Sequence, residues 1–175
     1  MTYRTVPVLF VFALAPLALS ATAGEKTDSP NAARFEALKK LAGDWVEVGK
    51  DGKPTTTVLT SIRVTAGGSA IHETIFPGTD KEMVTLYHLD GDDLILTHYC
   101  VLGNQPRLKA EPGKDAKRIA FKFSGGTNLK SPDDMHMHDA TLILIDNDHF
   151  RAEWTACKDG KACHQAGFDF VRKAK

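Results

Sequence analysis

Histidine and cysteine side chains recur in this sequence at a spacing that suits metal coordination. His136 and His138 stand two residues apart, and so do His98 and Cys100. Because alternate residues of a β-strand point to the same face, each pair can present two donors on one side of a strand. Imidazole and thiolate donors suit zinc or copper. The alternative is that the histidines are half-buried side chains that hydrogen-bond one another, water and loop carbonyls.

One short helix precedes the strands that must position these residues. Ser29-Pro30 fits a helix N-cap and first turn, Phe35, Leu38 and Leu41 recur at helical spacing, and Gly43 follows the end. After it come only short β-rich runs separated by turn residues. We predict ten strands, at about 45–49, 55–65, 69–76, 82–89, 93–102, 106–111, 117–124, 135–146, 149–157 and 163–172.

These strands are expected to form one barrel. Tight turns join antiparallel neighbours, and closing such a meander removes its exposed edges. The predicted fold is therefore all-β: an antiparallel up-and-down barrel of about ten strands, with the short helix closing one end. The formal net charge is zero, with 22 basic and 22 acidic residues, which argues against nucleic acid or an anionic membrane as partner. Nothing in the sequence indicates an oligomeric state.

The first 23 residues are predicted to be a cleaved signal peptide. Arg4 provides a positive start, residues 6–19 form an apolar run interrupted by two prolines, and Ala21-Thr22-Ala23 supplies small residues for cleavage. The run is too short and too proline-rich for a transmembrane helix. We therefore expect an exported protein, periplasmic or secreted, in which residues 24–175 form a single domain without a membrane span.

Residues at the two ends of the predicted barrel resemble a known superfamily. Gly43-Asp44-Trp45 opens the first strand, and Phe168-Asp169-Phe170-Val171-Arg172 closes the last. This arrangement resembles the calycin superfamily of lipocalins, and the whole chain resembles small exported bacterial proteins of lipocalin-like type. The resemblance implies that Trp45 packs under Arg172 at the closed end, which is a structural role, and that a small molecule binds in the barrel.

Strand direction places most of the histidines at the opposite, open end. In a meander the end of the fifth strand and the starts of the eighth and tenth share a rim, and alternation turns the side chains of interest inward there. The inward set comprises His98, Cys100, His136, His138 and His164. We predict that a small apolar or amphipathic ligand is held in the barrel mouth by His98, Asn104, Arg107, His136, His138 and His164. The metal alternative uses zinc or copper on His98, Cys100, His136 and His138.

The cysteines and one glutamate add further expectations. Cys157 and Cys163 flank the turn at 158–162 on one strand face, so an oxidising compartment is expected to join them in a disulfide. Cys100 is then left as a free thiol, a ligand or a small buried hydrophobe. Glu73 points either inward, with a raised pKa, or outward.

Three classes of function remain open on the sequence. A binding protein is favoured by the calycin resemblance, a metal binder uses the same rim, and an enzyme would let an ion or an imidazole base act on the ligand. The sequence contains neither a Gly-x-Ser-x-Gly motif nor a phosphate-binding glycine loop, so catalysis is the least favoured class.

Overall fold

The protein folds as a closed antiparallel barrel with one short helix packed against it. The structure is a computed structural model that describes residues 29–174, so the predicted signal peptide lies outside the described residues. The predicted fold class is confirmed, because ten strands follow one another around the barrel in chain order and the first pairs with the last. The helix in the described part of the chain is too short to cross a membrane.

The elements agree with the sequence prediction to within a few residues at most ends. The helix α1 spans Pro30–Lys39. The strands are β1 (Gly43–Val48), β2 (Pro54–Thr65), β3 (Ala70–Ile75), β4 (Met83–Asp90), β5 (Asp93–Tyr99), β6 (Gln105–Ala110), β7 (Arg118–Thr127), β8 (His136–Leu144), β9 (His149–Lys158) and β10 (Lys161–Arg172). The fifth strand ends three residues earlier than predicted. A turn ends it there, in which the Cys100 N–H donates to the Asn104 carbonyl at 3.1 Å and the Gly103 N–H donates to the Cys100 carbonyl at 2.9 Å.

Local chemistry starts the helix and seats it on the barrel. The Ser29 hydroxyl accepts a hydrogen bond from the Ala32 N–H at 3.1 Å, and Pro30 occupies the first turn. Phe35 and Leu38 are buried in the barrel core. The Asn31 amide donates to the Asp92 carbonyl in the β4–β5 turn, so the helix lies at the end of the barrel where β5 begins.

Trp45 and Arg172 meet at this closed end, as the calycin resemblance implies. They are register partners where β1 pairs with β10, and the guanidinium lies 4.4 Å from the centre of the indole ring. Trp45 is fully buried, and its Nε1–H donates to the Leu41 carbonyl at 2.8 Å. Arg172 also donates to the carbonyls of Lys40, Ala42 and Asn147 and to the carboxylate of Asp148.

The glycine of the Gly-x-Trp motif makes room for that arginine. Gly43 has φ +143°, a backbone conformation that side chains disfavour. A Cβ at this position would also collide with Arg172 Nη1. The closed end therefore depends on a glycine as well as on the aromatic and cationic pair. A ten-strand antiparallel barrel of this kind is compatible with a calycin-like fold.

Candidate functional site

A partly open apolar cavity lies at the end of the barrel opposite the helix. Its volume is about 200 Å³. It lies where β3 and β5 end and where β4, β8 and β10 begin. Its apolar lining consists of Ile75, Phe76, Met83, Met137, Trp154, Ala166 and Phe168, and two histidines, His98 and His164, complete the wall.

His98 is the deeply buried polar side chain of this wall. Alternation on β5 turns it inward with Leu94 and Leu96, as predicted, and only 2% of its surface is exposed. Its Nδ1 lies 2.9 Å from Thr85 Oγ1, and its ring centre lies 5.1 Å from that of Trp154. Its Nε2 has no hydrogen-bond partner within residues 29–174. Burial lowers the pKa of His98 from 6.5 to about 4, so the ring is neutral at pH 7.

A second buried polar group, Glu73, lies on β3, two strands away from His98 on β5. The structure settles its orientation, because it is buried beside Ile71 on the inner face of β3. The Thr60 hydroxyl donates to Oε1 at 2.9 Å, and the Tyr87 hydroxyl donates to Oε2 at 2.7 Å. Burial raises the pKa of Glu73, although these two hydrogen bonds act in the opposite direction.

Glu73 and His98 belong to one polar band across the apolar core. Glu73 faces Thr85 where β3 pairs with β4, and Thr85 faces His98 where β4 pairs with β5. Each carboxylate oxygen of Glu73 has a donor, as buried polar atoms require. Within residues 29–174, the side-chain nitrogen of this band that lacks a partner is His98 Nε2, and His98 is also a residue of the cavity wall.

Tyr87→Phe is expected to lower the free energy of unfolding by about 1–2 kcal/mol, since it removes a donor from a buried carboxyl and keeps the ring. Tyr99→Phe is the matched control, because Tyr99 is exposed and its hydroxyl meets solvent. Chemical denaturation of both variants at pH 7 measures the difference. Equal free energies of unfolding for the two variants would show that the hydrogen bond from Tyr87 to Glu73 does not stabilise the fold.

His136 and His138 form a pair of their own beside Phe123. His136 Nε2 lies 3.1 Å from His138 Nδ1, and their ring centres lie 4.2 Å and 5.3 Å from that of Phe123. Strict alternation predicted both histidines inward. The register of β8 against β9 shifts between Met137 and Asp139, and Met137 lines the cavity, while His136 is buried and His138 is half-buried beside Phe123.

The remaining predicted residues lie apart from the cavity lining. Cys100 is buried in the turn after β5. Asn104 is buried, and its Nδ2 donates to the Met135 carbonyl at 2.8 Å. Arg107 is exposed and pairs with Asp90 at 2.9 Å. The structure thus places His98 and His164 at one cavity and His136 with His138 in a pair, while the ligand-binding roles of all six residues stay predictions.

The predicted metal set does not form one coordination sphere. Within residues 29–174, no three or more His, Cys, Asp or Glu side chains lie where they could hold one metal ion. His98 is buried against Thr85 and Trp154, whereas the other two histidines contact Phe123. The residue types alone could not reveal this separation, because it depends on the register of β8.

The predicted disulfide between Cys157 and Cys163 is wrong. Both cysteines are free, as is Cys100. The register of β9 against β10 shifts between Ala162 and His164, so Cys157 faces Ala162 and Cys163 falls in the irregularity. The Cys163 thiol contacts the Ala156 carbonyl instead, at 3.4 Å.

Sequence reasoning missed most of the cavity wall. Trp154 and Phe168 line the cavity, but nothing in their spacing along the sequence marks the space between them. Thr85 holds the His98 ring through a hydrogen bond. Its signal in the sequence is limited to its position two residues before Tyr87, on the same face of β4. An apolar residue near the rim end of a strand is the signal that could have identified Ile75 and Met83.

Comparison with known proteins leaves the geometry as the basis for a functional conclusion. No protein-family model matches the chain, and no curated protein matches it. A closed barrel with an apolar cavity at one end is compatible with ligand binding.

Proposed function

We propose that this is an exported, lipocalin-like protein that binds a small, largely apolar molecule carrying a hydroxyl group. The observation that carries the proposal is His98, a residue of the apolar cavity wall whose buried Nε2 has no hydrogen-bond partner within residues 29–174. Buried polar atoms are almost always hydrogen-bonded, so a ligand that offers one hydrogen bond completes the site. Export rests on the pattern of residues 1–23.

The volume of the cavity sets the size of the ligand. An apolar cavity of about 150 Å³ binds benzene. The space beside His98 is about 200 Å³, which suits a single substituted ring or a short branched chain. Its lining is largely apolar, so the transfer of ligand surface from water to the cavity supplies most of the affinity.

The hydrogen bond to Thr85 explains why a hydroxyl fits. The Thr85 hydroxyl can donate to His98 Nδ1 or accept from it, and Nε2 is then the donor or the acceptor of the neutral ring. A ligand hydroxyl pairs with either tautomer because it both donates and accepts. His98 is neutral at pH 7, since burial lowers its pKa to about 4, so a charged ligand gains no ion pair there.

A pair of probes of nearly equal shape tests the proposal. Isothermal titration of p-cresol and p-xylene into the wild type and into His98→Leu gives four dissociation constants. We expect the preference for p-cresol over p-xylene to be about tenfold greater in the wild type than in His98→Leu. Leucine keeps roughly the volume of the histidine side chain but cannot make its hydrogen bond. His88→Gln is the control, since His88 lies on β4 away from the cavity lining.

Two results would overturn the proposal. One is a wild-type protein that binds neither molecule. The other is a p-cresol preference that is the same in the wild type and in His98→Leu, with both proteins folded by circular dichroism. The second result would place the hydroxyl somewhere other than beside His98.

A further inference from the structure

The His136–His138 pair has a defined hydrogen-bond direction. His136 Nδ1 lies 2.7 Å from the Asp134 carbonyl, and a carbonyl can only accept, so this nitrogen carries the proton. In the neutral ring Nε2 therefore bears the lone pair, and it faces His138 Nδ1 at 3.1 Å. The backbone of one loop residue thus selects the tautomer of His136 and directs its lone pair toward a second imidazole.

The pair is also packed against an aromatic ring. His136 is buried, and the Phe123 ring stacks on His138 with an interplanar angle of 24°. Histidines that ligate metals typically donate their other ring N–H to a carbonyl or carboxylate, which fixes their orientation. His136 has this arrangement through Asp134.

The separation of the two nitrogens is close to that of two ligands on one copper(II) ion. Imidazole nitrogens bind a divalent ion such as zinc at about 2.0–2.1 Å, and two bonds of that length at about 90°, as in tetragonal copper(II), put the nitrogens about 2.9 Å apart. The distance between His136 Nε2 and His138 Nδ1 is 3.1 Å. An ion can therefore replace the shared proton with small side-chain rotations.

We propose that His136 Nε2 and His138 Nδ1 bind one copper(II) ion, at a site distinct from the cavity lining. On binding, the proton of His138 Nδ1 is transferred through solvent to His138 Nε2, which leaves the Nδ1 lone pair for the ion. Water completes the coordination. Copper is favoured over zinc because zinc sites use three or four protein ligands, and no such group exists within residues 29–174. Copper(II) also binds a given nitrogen site most tightly among the divalent first-row ions.

Copper titration of the untagged protein tests the site. We expect isothermal titration with copper sulfate at pH 7 to give one equivalent, and electron paramagnetic resonance to show two nitrogen ligands. His138→Gln should weaken binding by at least about 10–100-fold, because losing even an outer partner of a ligand costs that much. His88→Gln is the matched control, as this half-buried ring also lies near a backbone carbonyl, that of Leu89, at 3.2 Å.

Either of two outcomes overturns the copper site. One is copper affinity that is the same in His138→Gln and the wild type, and the other is a wild type without a stoichiometric copper signal. His138→Phe keeps a ring against Phe123 and serves as second variant should His138→Gln fail to fold. Binding of p-cresol to each folded His138 variant should equal that of the wild type, so failure here is distinguishable from failure of the cavity proposal.

Discussion

Replacing Arg172 with alanine is expected to lower the free energy of unfolding by about 3 kcal/mol. The guanidinium stacks on Trp45 and donates to the Lys40 and Ala42 carbonyls next to the helix. A hydrogen bond that involves a charged group contributes about 1.5–3 kcal/mol, and Arg172→Ala leaves these carbonyls without their donor. The ion pair with Asp148 adds little, because that carboxylate is 75% exposed.

Chemical denaturation at pH 7 measures the effect of Arg172→Ala. Arg118→Ala serves as control, since Arg118 is an exposed arginine on β7, and its loss should change stability by less than about 0.5 kcal/mol. Binding of p-cresol should be unchanged, because Arg172 and the cavity are at opposite ends of the barrel. A loss below about 1 kcal/mol would show that the Trp45–Arg172 contact does not stabilise the closed end.

Acidification is expected to remove about 3 kcal/mol of stability through His98. Its pKa is about 4 in the folded protein against 6.5 ordinarily, so between these values the unfolded chain binds a proton that the native state does not. Stability from this group is complete above pH 6.5 and is lost as the pH falls through 4. The 2.5-unit difference, at about 1.4 kcal/mol per unit, gives the expected magnitude.

The His98→Leu variant isolates this loss from other titrations. Glu73 acts in the opposite direction, because burial raises its pKa and favours the native state at low pH. Chemical denaturation of the wild type and of His98→Leu at pH 7 and at pH 4 measures the effect. Between pH 7 and pH 4, the free energy of unfolding should fall more in the wild type than in His98→Leu. Leu96→Val, on the same strand, is the control, and its loss of stability relative to the wild type should be the same at pH 7 and at pH 4. Parallel pH profiles for the wild type and His98→Leu would contradict neutral burial of His98.

The fold followed from local signals that are strong in this chain. Turn residues mark nearly every strand end, so the ten strands were placed without knowledge of their partners. Alternation then placed His98 on the inner face correctly, because the pairing of β5 with its neighbours preserves the period of two. The closing contact followed from the resemblance carried by Trp45 and Arg172.

The candidate site could be predicted only in part, because two strand pairs contain register shifts. The shifts lie between Met137 and Asp139 and between Ala162 and His164, and no residue type signals them. They separate the histidine pair from His98 and displace Cys163. Glu73 could not be oriented from its own strand, since the donors that satisfy it come from residues 13 and 14 positions away.

The pairing of β1 with β10 constrains the order in which the chain folds. Nine of the ten strand contacts join neighbours in sequence and can form as local hairpins, whereas Arg172 reaches Ala42 across 130 residues. Closing that loop has an entropic cost before its contacts form, so we expect closure by the β1–β10 pair to be the last step of folding. Until β10 pairs with it, β1 has an unpaired edge, so the closed end and the barrel are completed by the same contact.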